Sequence, residues 1–438
     1  MAKNLTRRAF VKGTTLAGVG VWASTAPKES KAANEKINFG CIGVGGKGSS
    51  DSSAAGGSGN VVAICDTSEG QLNRAAGRFK GAKKYFDYRK MLEDKSIDAV
   101  TVSTPDHNHA TAASLAMRAG KHCFCQKPLT RAIFEARRLG ELAKEMKVAT
   151  QMGNQGTAGS GLRHSAALLK ANALGKVTDV YVWSNRPVWP QGIARPKGTP
   201  PVPSGLHWEE WLGPAKARPY HSAYQPFKWR GWWDFGSGAL GDMACHTVNM
   251  AYMGLDLKNP TSVQAETSGH NGETYPSWSI IKFAFPANDW RGPINFTWSD
   301  GGKRPGKEVT EGHRVGRSGC VIVGEKAKLY SGNDYGSDRQ IWSKDKLEMP
   351  DVKYEKSPGH FKEWVRAIKG GPKAVSNFTD YAGPLTETIL LGNLAVWSAA
   401  KKGEQGKKIE WDAKSLKPTN APELMSIVKP EYRKGYSI

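Results

Sequence analysis

Residues 37–48 read Ile-Asn-Phe-Gly-Cys-Ile-Gly-Val-Gly-Gly-Lys-Gly. A largely apolar, strand-like run leads directly into Gly43-Val44-Gly45-Gly46-Lys47-Gly48. Glycines in this spacing permit a tight turn, close backbone approach to a ligand and close helix–strand packing. The Ser/Ala-rich residues that follow predict a helix, whose N-terminus supplies free N–H groups and partial positive charge. Asp66 ends the next apolar run, VVAICD, 23 residues after Gly43. A carboxylate at that place accepts hydrogen bonds from ribose hydroxyls. Strand, glycine turn, helix and acidic strand end together predict a dinucleotide site built on Gly43, Gly45, Gly46, Gly48 and Asp66. Thr67-Ser68-Glu69 follow, with no arginine. A 2′-phosphate would meet negative charge there, so NAD is expected in preference to NADP.

Outward from this turn, short apolar runs alternate with helical segments up to about Gly156. INFGCIGV, NVVAICD, IDAVTVSTP, KHCFCQKP and VATQMGNQ read as strands. TSEGQLNRAAGRF, HATAASLAMRAG and TRAIFEARRLGELAKEM read as helices. Continuous apolar strands separated by helices imply a parallel sheet covered on both faces. After Gly161 the texture changes. A helix, LRHSAALLKANALG, and a strand, VTDVYVWSN, precede a long irregular stretch from Arg186 to Trp233, rich in Pro, Gly and Trp. A loop of that length inside a domain is usually functional. A helix is expected over 239–253, then strand-like runs that suggest an antiparallel sheet, then two closing helices. The expected class is α/β. A doubly wound parallel sheet over 34–158 precedes an α+β domain over 159–438 with a large, mostly antiparallel open sheet.

Composition narrows the function. The chain has 438 residues and a net charge of +22. The charge is scattered, without a basic run of five or a nucleic-acid-binding signature, so nucleic acid is not the expected partner. No stretch of 18 apolar residues exists, so no integral membrane segment is expected in the mature chain. Six cysteines lack CxxC spacing and histidine partners at zinc distance, so they are read as small buried hydrophobes and no metal site is assigned. Cys123 and Cys125, two apart on a strand, share one face.

Residues 1–33 read as a twin-arginine export signal. Arg7-Arg8 lie in TRRAFVK and precede a weakly apolar stretch from Gly13 to Ala26. This predicts the export machinery as a partner and a periplasmic or extracytoplasmic location. The route carries folded proteins and suits a cofactor inserted beforehand and tightly held.

Three further segments stand at places where chemistry occurs. Ser103-Thr104-Pro105-Asp106-His107-Asn108-His109 and Gln126-Lys127-Pro128 follow predicted strands, where ligands of open α/β sheets bind. Gly241-Asp242-Met243-Ala244-Cys245-His246 places Asp242 and His246 at i and i+4 of a helix, on one face.

In this order, the segments resemble the Gfo/Idh/MocA oxidoreductases, whose pattern is GxGxxG, TPNxxH, EKP and a late DxxxH. The likeness runs over about residues 36–400. It implies a Rossmann domain, an α+β domain whose open sheet makes homo-oligomer contacts, and oxidation or reduction of sugars and polyols with a nicotinamide cofactor. By position it implies Lys127, Asp242 and His246 as catalytic. Thr104, Pro105 and His109 fall near the nicotinamide ribose, with Gln126 and Lys127 beside the cofactor. Two departures stand out: Gln126 replaces the usual Glu, and Asp106 the usual Asn. Losing the carboxylate beside Lys127 is expected to lower the pKa of that lysine.

The residue types suit alcohol oxidation. His246 can serve as base, Lys127 can donate to a developing alkoxide, and Asp242 can orient the substrate. Arg163, Asn185, Trp233 and Asp242 are candidate substrate contacts. Seven tryptophans, Trp183, Trp189, Trp208, Trp211, Trp229, Trp232 and Trp233, fall within 51 residues. Some could stack on a sugar beside Asn185, Arg186, Arg230 and Asp234, while at least half are expected to be core anchors. The expected function is an exported NAD(P)-dependent oxidoreductase of sugars, polyols or glycosides. The alternative is an NAD-dependent glycosidase or lyase that oxidises its sugar transiently, with no net redox change.

Overall fold

The computed structural model describes residues 36–438; the export segment expected over 1–33 lies outside them. The first part of the chain runs β1 (Ile37–Ile42), α1 (Gly46–Gly56), β2 (Gly59–Cys65), α2 (Glu69–Arg78), β3 (Lys83–Tyr85), α3 (Tyr88–Leu92), β4 (Ala99–Val102), α4 (Asp106–Arg118), β5 (His122–Cys125), α5 (Ile133–Met146) and β6 (Thr150–Met152). The six strands are parallel in the order β3-β2-β1-β4-β5-β6, which is the doubly wound dinucleotide order. The edge strand β3 and the short α3 carry no apolar run and were not expected.

Register decides where the site can be. Tyr85, Cys65, Ile42, Val102, Cys125 and Met152 pair in one row across the sheet. The next residues along the chain, Asp66, Gly43, Ser103, Gln126 and Gly153, therefore emerge along one rim.

Side chains alternate between the faces as strand geometry requires. Phe39, Cys41, Ile64, Ala99 and Phe124 pack on one side with Ala55 of α1 and Leu72 and Ala75 of α2. Ile42, Cys65, Val100, Val102, Cys123 and Cys125 pack on the other with α4 and α5. All six cysteines are free and buried.

The second part contains α6 (Ser160–Lys170), β7 (Val177–Trp183), α7 (Trp208–Leu212), α8 (Gly238–Thr247), α9 (Asn249–Leu255), β8 (Ser262–Thr267), β9 (Ser279–Phe285), β10 (Ile294–Ser299), α10 (Lys307–Thr310), β11 (Gly319–Gly324), β12 (Lys328–Ser331), β13 (Gln340–Trp342), α11 (His360–Ile368), α12 (Gly383–Ser398), β14 (Ile409–Asp412) and β15 (Lys417–Pro418). Nine strands form one sheet in the order β13-β12-β11-β7-β10-β9-β8-β14-β15. Its pairs are antiparallel except β7 with β10. The single helix expected over 239–253 is two, α8 and α9, divided at Val248.

Elements from beyond the chain boundary expected at 158/159 also pack on the first sheet. Apart from Lys47 and Asp51, α1 is made of Gly, Ser and Ala and brings little apolar bulk to its sheet face. That face is closed by α11, from near the other end of the chain. Trp364 is fully buried, with ring centroids 5.8 Å from Phe39 and 5.7 Å from Phe124. Its Nε1 donates to the Ala149 carbonyl at 3.0 Å. α12 is buried along nearly its whole length and packs against α5, α8, β8 and β9. Gly392 permits this: a Cβ there would lie 2.5 Å from Leu240 of α8 and 3.0 Å from the Phe283 ring.

Arg163, expected at the substrate, belongs to this internal framework. Its Nη2 lies 2.5 Å from Glu363 of α11, and the two side chains are 4% and 1% exposed. Its Nε and Nη1 donate to the Thr157 and Glu355 carbonyls. A guanidinium 4% exposed and bonded through all three nitrogens is closed off from a ligand. Arg163→Met strands the Glu363 carboxylate, and we expect it to lower unfolding free energy by about 3–5 kcal/mol. Chemical denaturation measures this; a change under 1 kcal/mol would show that the pair is dispensable.

Candidate functional site

The rim begins with the glycine turn. Gly43 has φ +73°, and a Cβ there would lie 2.5 Å from the Ser103 carbonyl oxygen. A Cβ on Gly48 would lie 1.8 Å from the Gly43 carbonyl oxygen. At Gly46, with φ +48°, a Cβ would meet nothing within 4 Å. The chain is thus tight behind the turn and open in front of it. α1 starts there without a side-chain cap or an acidic residue in its first turn, so the N–H groups of that turn suit an anion.

Asp66 holds the turn to β2. Its Oδ2 accepts from the Val44 and Gly45 N–H groups at 2.9 and 3.3 Å, and its Oδ1 from Ser68 N–H at 2.9 Å. Burial raises the Asp66 pKa, and the surrounding N–H groups oppose that rise. A carboxylate retains lone pairs beyond these three bonds. The cradle and the acid together fit a dinucleotide.

Sequence analysis did not single out Asp51, a buried carboxylate of α1 behind the turn. It accepts from Gln126 Nε2 at 2.8 Å and from Ser103 Oγ at 2.8 Å, and it pairs with Lys47. Gln126 is therefore the donor to a carboxylate already present. Glutamate at 126 would set two acids side by side. The only available signal was Lys47 and Asp51 at i and i+4.

Lys127 and Asp242 meet at the end of β5. Lys127 Nζ donates to the Asp242 carbonyl at 2.6 Å and to Oδ1 at 3.0 Å. Lys127 thus has a carboxylate partner, supplied by α8 instead of position 126. Arg230 Nε lies 3.2 Å from Oδ1 and Arg186 Nε 3.7 Å from Oδ2. Burial alone would raise the Asp242 pKa, but Lys127, Arg230 and Arg186 outweigh it and leave the pKa lowered. His246, one turn further along α8, is buried with its ring edge-on to Tyr335 at 4.9 Å. Its Nδ1 has no hydrogen-bond partner among the described residues. Burial, then the Lys127 charge, pushes its pKa well below 6.5, so the imidazole is neutral.

The TPNxxH-like segment builds supports. His109 is buried, its Nδ1 2.8 Å from the Pro128 carbonyl and its Nε2 2.8 Å from the Thr104 carbonyl. It ties the ends of β4 and β5 together, and both ring nitrogens are occupied by main chain. Thr104 and Pro105 stay at the rim between them. Asp106 accepts from Ser237 Oγ at 2.5 Å. Ser237 stands at the N-cap position of α8, and Asn393 of α12 donates to its carbonyl at 2.9 Å. The Asp at this position thus anchors the helix that carries Asp242 and His246.

Two further substrate candidates are placed otherwise than expected. Trp233 is buried, stacked on Tyr275 at 3.7 Å, with Nε1 donating to the Thr274 carbonyl. Asn185 reaches the site only through Arg186, whose Nη1 it accepts. All seven clustered tryptophans are buried. Trp208, Trp211, Trp229 and Trp232 form a separate core with Tyr224 and Phe235, which lets a long irregular segment hold one shape.

Comparison with known proteins agrees with this architecture. Residues 37–154 match a family model described as an oxidoreductase family, NAD-binding Rossmann fold. Residues 182–438 match its companion, the C-terminal alpha/beta domain of the oxidoreductase family. Levoglucosan dehydrogenase of Pseudarthrobacter phenanthrenivorans is 25% identical over 178 residues, 40% of this chain and 38% of that one. The scyllo-inositol 2-dehydrogenase (NAD(+)) of Bacillus subtilis is 28% identical over 142 residues, 32% of this chain and 39% of that one. The chain thus spans well under half the length of these curated relatives. The WlbA dehydrogenase of Bordetella pertussis, solved with NADH and UDP-GlcNAcA, superposes with a TM-score of 0.60 at 18% identity, over 85% of this chain and 98% of that one. That likeness is one of fold.

The turn geometry sets a contrast between two glycines. Gly48→Ala forces a methyl group into the Gly43 carbonyl, and we expect at least about a tenfold loss of NAD affinity with about 1–3 kcal/mol of destabilisation. Gly46→Ala has open space and meets only the cost of a positive φ, about 1–2 kcal/mol. Calorimetric titration with NAD and thermal melts separate them; unchanged NAD binding by Gly48→Ala would refute the cradle.

Proposed function

The chain belongs to the Gfo/Idh/MocA oxidoreductases, and on that premise we propose that it oxidises a secondary alcohol of a sugar, polyol or glycoside, with NAD as the acceptor. The observation that carries this reading is the meeting of Lys127 and Asp242 at the end of β5, with His246 one turn along the same helix. Gly43, Gly45, Gly46, Gly48 and Asp66 would hold the dinucleotide, with Thr104, Pro105 and Gln126 bordering it. When bound, the nicotinamide supplies the two-electron acceptor. Asp66 and Glu69 support NAD over NADP.

Neutral His246 can take the hydroxyl proton as the alcohol carbon is oxidised. Lys127 donates a hydrogen bond to the substrate oxygen and favours the negative charge that grows there. Asp242 fixes the lysine ammonium through a main-chain and a side-chain oxygen. Relatives named for levoglucosan and scyllo-inositol support a polyhydroxy substrate.

The redox-neutral alternative has one observation in its favour. Residues of the long 186–233 segment fold back over the turn after Asp66. Gly205 and Thr67 carbonyls accept from Glu69 and His207 N–H at 2.9 and 2.8 Å. The His207 ring stacks on Phe86 at 3.7 Å. A strap at the ribose end favours a retained cofactor, which a glycosidase or lyase would recycle internally. The twin-arginine segment supports export of the folded, loaded chain; the compartment in which the mature chain accumulates tests that reading.

Two experiments decide among these readings. Supplying NAD and a panel of sugars, polyols and glycosides is expected to give substrate-dependent turnover, with kcat/KM reduced about 10²–10⁴-fold in Lys127→Met and in His246→Ala. Because the His246 pKa lies below 6.5, the acid limb of kcat/KM falls below pH 6.5; a limb centred at 6.5–7 would remove His246 as the base. Denaturing the purified chain and assaying the supernatant for NAD(H) tests retention. Stoichiometric release with glycoside cleavage and no net NADH supports the lyase or glycosidase reading, and an empty, exchangeable site supports the simple dehydrogenase.

A further inference from the structure

Asp242 is surrounded by more positive charge than it can neutralise. Lys127, Arg230 and Arg186 all lie within 4 Å of its carboxylate, so three cations face one anion, a formal surplus of two. Other carboxylates of the region are engaged elsewhere. Asp106 accepts from Ser237, Asp234 pairs with Arg218, and Glu273 pairs with Arg218 and Arg195. Unmatched charge at a half-buried site is costly until an anion enters.

The two arginines are set up as receptors. Arg186 commits Nη1 to Asn185. Arg230 commits Nε to Asp242 and Nη1 to the Phe227 carbonyl. Neither Nη2 has a hydrogen-bond partner among the described residues, and both side chains are about a quarter exposed. Arg230 is held among aromatic rings, 4.2 Å from the Trp229 centroid, 4.7 Å from Phe227 and 5.9 Å from Trp189. Phe227 itself is 45% exposed, with Val188 at 60% on the same segment. A fixed guanidinium fork beside an open apolar ring is what a pyranose bearing a carboxylate can use. Its C–H face lies on the ring and its two oxygens lie on the fork.

We propose that the site is built for an acidic sugar of the hexuronic class, its carboxylate received by Arg186 and Arg230. This deepens the oxidoreductase reading and rests on it for the reaction, but not for the binding. The arginines meet Asp242 at its carboxylate, whereas His246 Nδ1 has no partner among the described residues, so the anion contact and the base are different groups. A neutral sugar would leave the charge surplus unmatched.

The test is calorimetric titration of the purified full-length chain, saturated with NAD. The probes are glucuronate, galacturonate and mannuronate, beside the matching neutral hexoses and hexose 6-phosphates. We expect at least one uronate to bind at least about tenfold tighter than its neutral hexose, with an advantage that shrinks as salt is raised. Arg230→Gln and Arg186→Gln should each cut that ratio about tenfold, with melting temperature as the check on folding. If Arg230→Gln does not fold, Arg186→Gln carries the test. Equal binding of every uronate and its hexose, or a ratio unmoved by the folded variants, overturns the proposal. Tighter binding of the phosphate esters overturns the carboxylate assignment. Selective uronate binding without NAD reduction by any sugar sinks the oxidoreductase reading and leaves the anion site standing. Turnover of neutral sugars with no uronate preference does the reverse.

Discussion

The register of the first sheet is the constraint on which the site depends. Six strand ends stop on one row, so the first loop residues after them are delivered to a single rim. A slip of one residue in β1 would turn Phe39 and Cys41 to the wrong face and carry Gly43 away from Ser103. Packing and function are therefore not separable here. The same apolar alternation that buries Phe39, Ile64 and Phe124 also aligns the glycine turn, Asp66 and Lys127.

The second requirement is that α8 arrive at that rim in a fixed pose. Nothing in α8 alone secures this, since its start has no side-chain cap bond of its own. Ser237 is instead held from two directions, by Asp106 of the first sheet unit and Asn393 of α12. The Lys127–Asp242 contact is thus made between elements already fixed by other bonds. Electrostatics then complete the site. The cations hold Asp242 ionised against its burial, and burial holds His246 neutral against its usual pKa.

Much of this was legible in the sequence because the relevant signals are local. Apolar runs of strand length, glycine spacing and an acid at a strand end all lie within a few residues of what they specify. The fold class and the rim residues follow from them. The errors share a different cause. Arg163 reads as an available charge, yet it is buried by a partner 200 residues away. Trp233 reads as a candidate substrate contact, yet it is buried against Tyr275. Asp51 is invisible until Gln126 is brought beside it. α11 carries an amphipathic pattern but no mark of which sheet it covers. Long-range pairing determines all four, and composition and spacing contain no information about it.

The return of α11 to the first sheet bears on how the chain is made. Residues 37–152 leave the ribosome with Phe39 and Phe124 lacking their cover, because Trp364 is still to be synthesised. At the usual 5–20 residues per second, roughly 10–40 s separate the last strand of that sheet from the helix that closes it. During that interval the nascent chain carries an open aromatic face and is a natural client for a chaperone. Closure of that face of the dinucleotide unit is thereby a late event in translation, although the unit stands first in the chain.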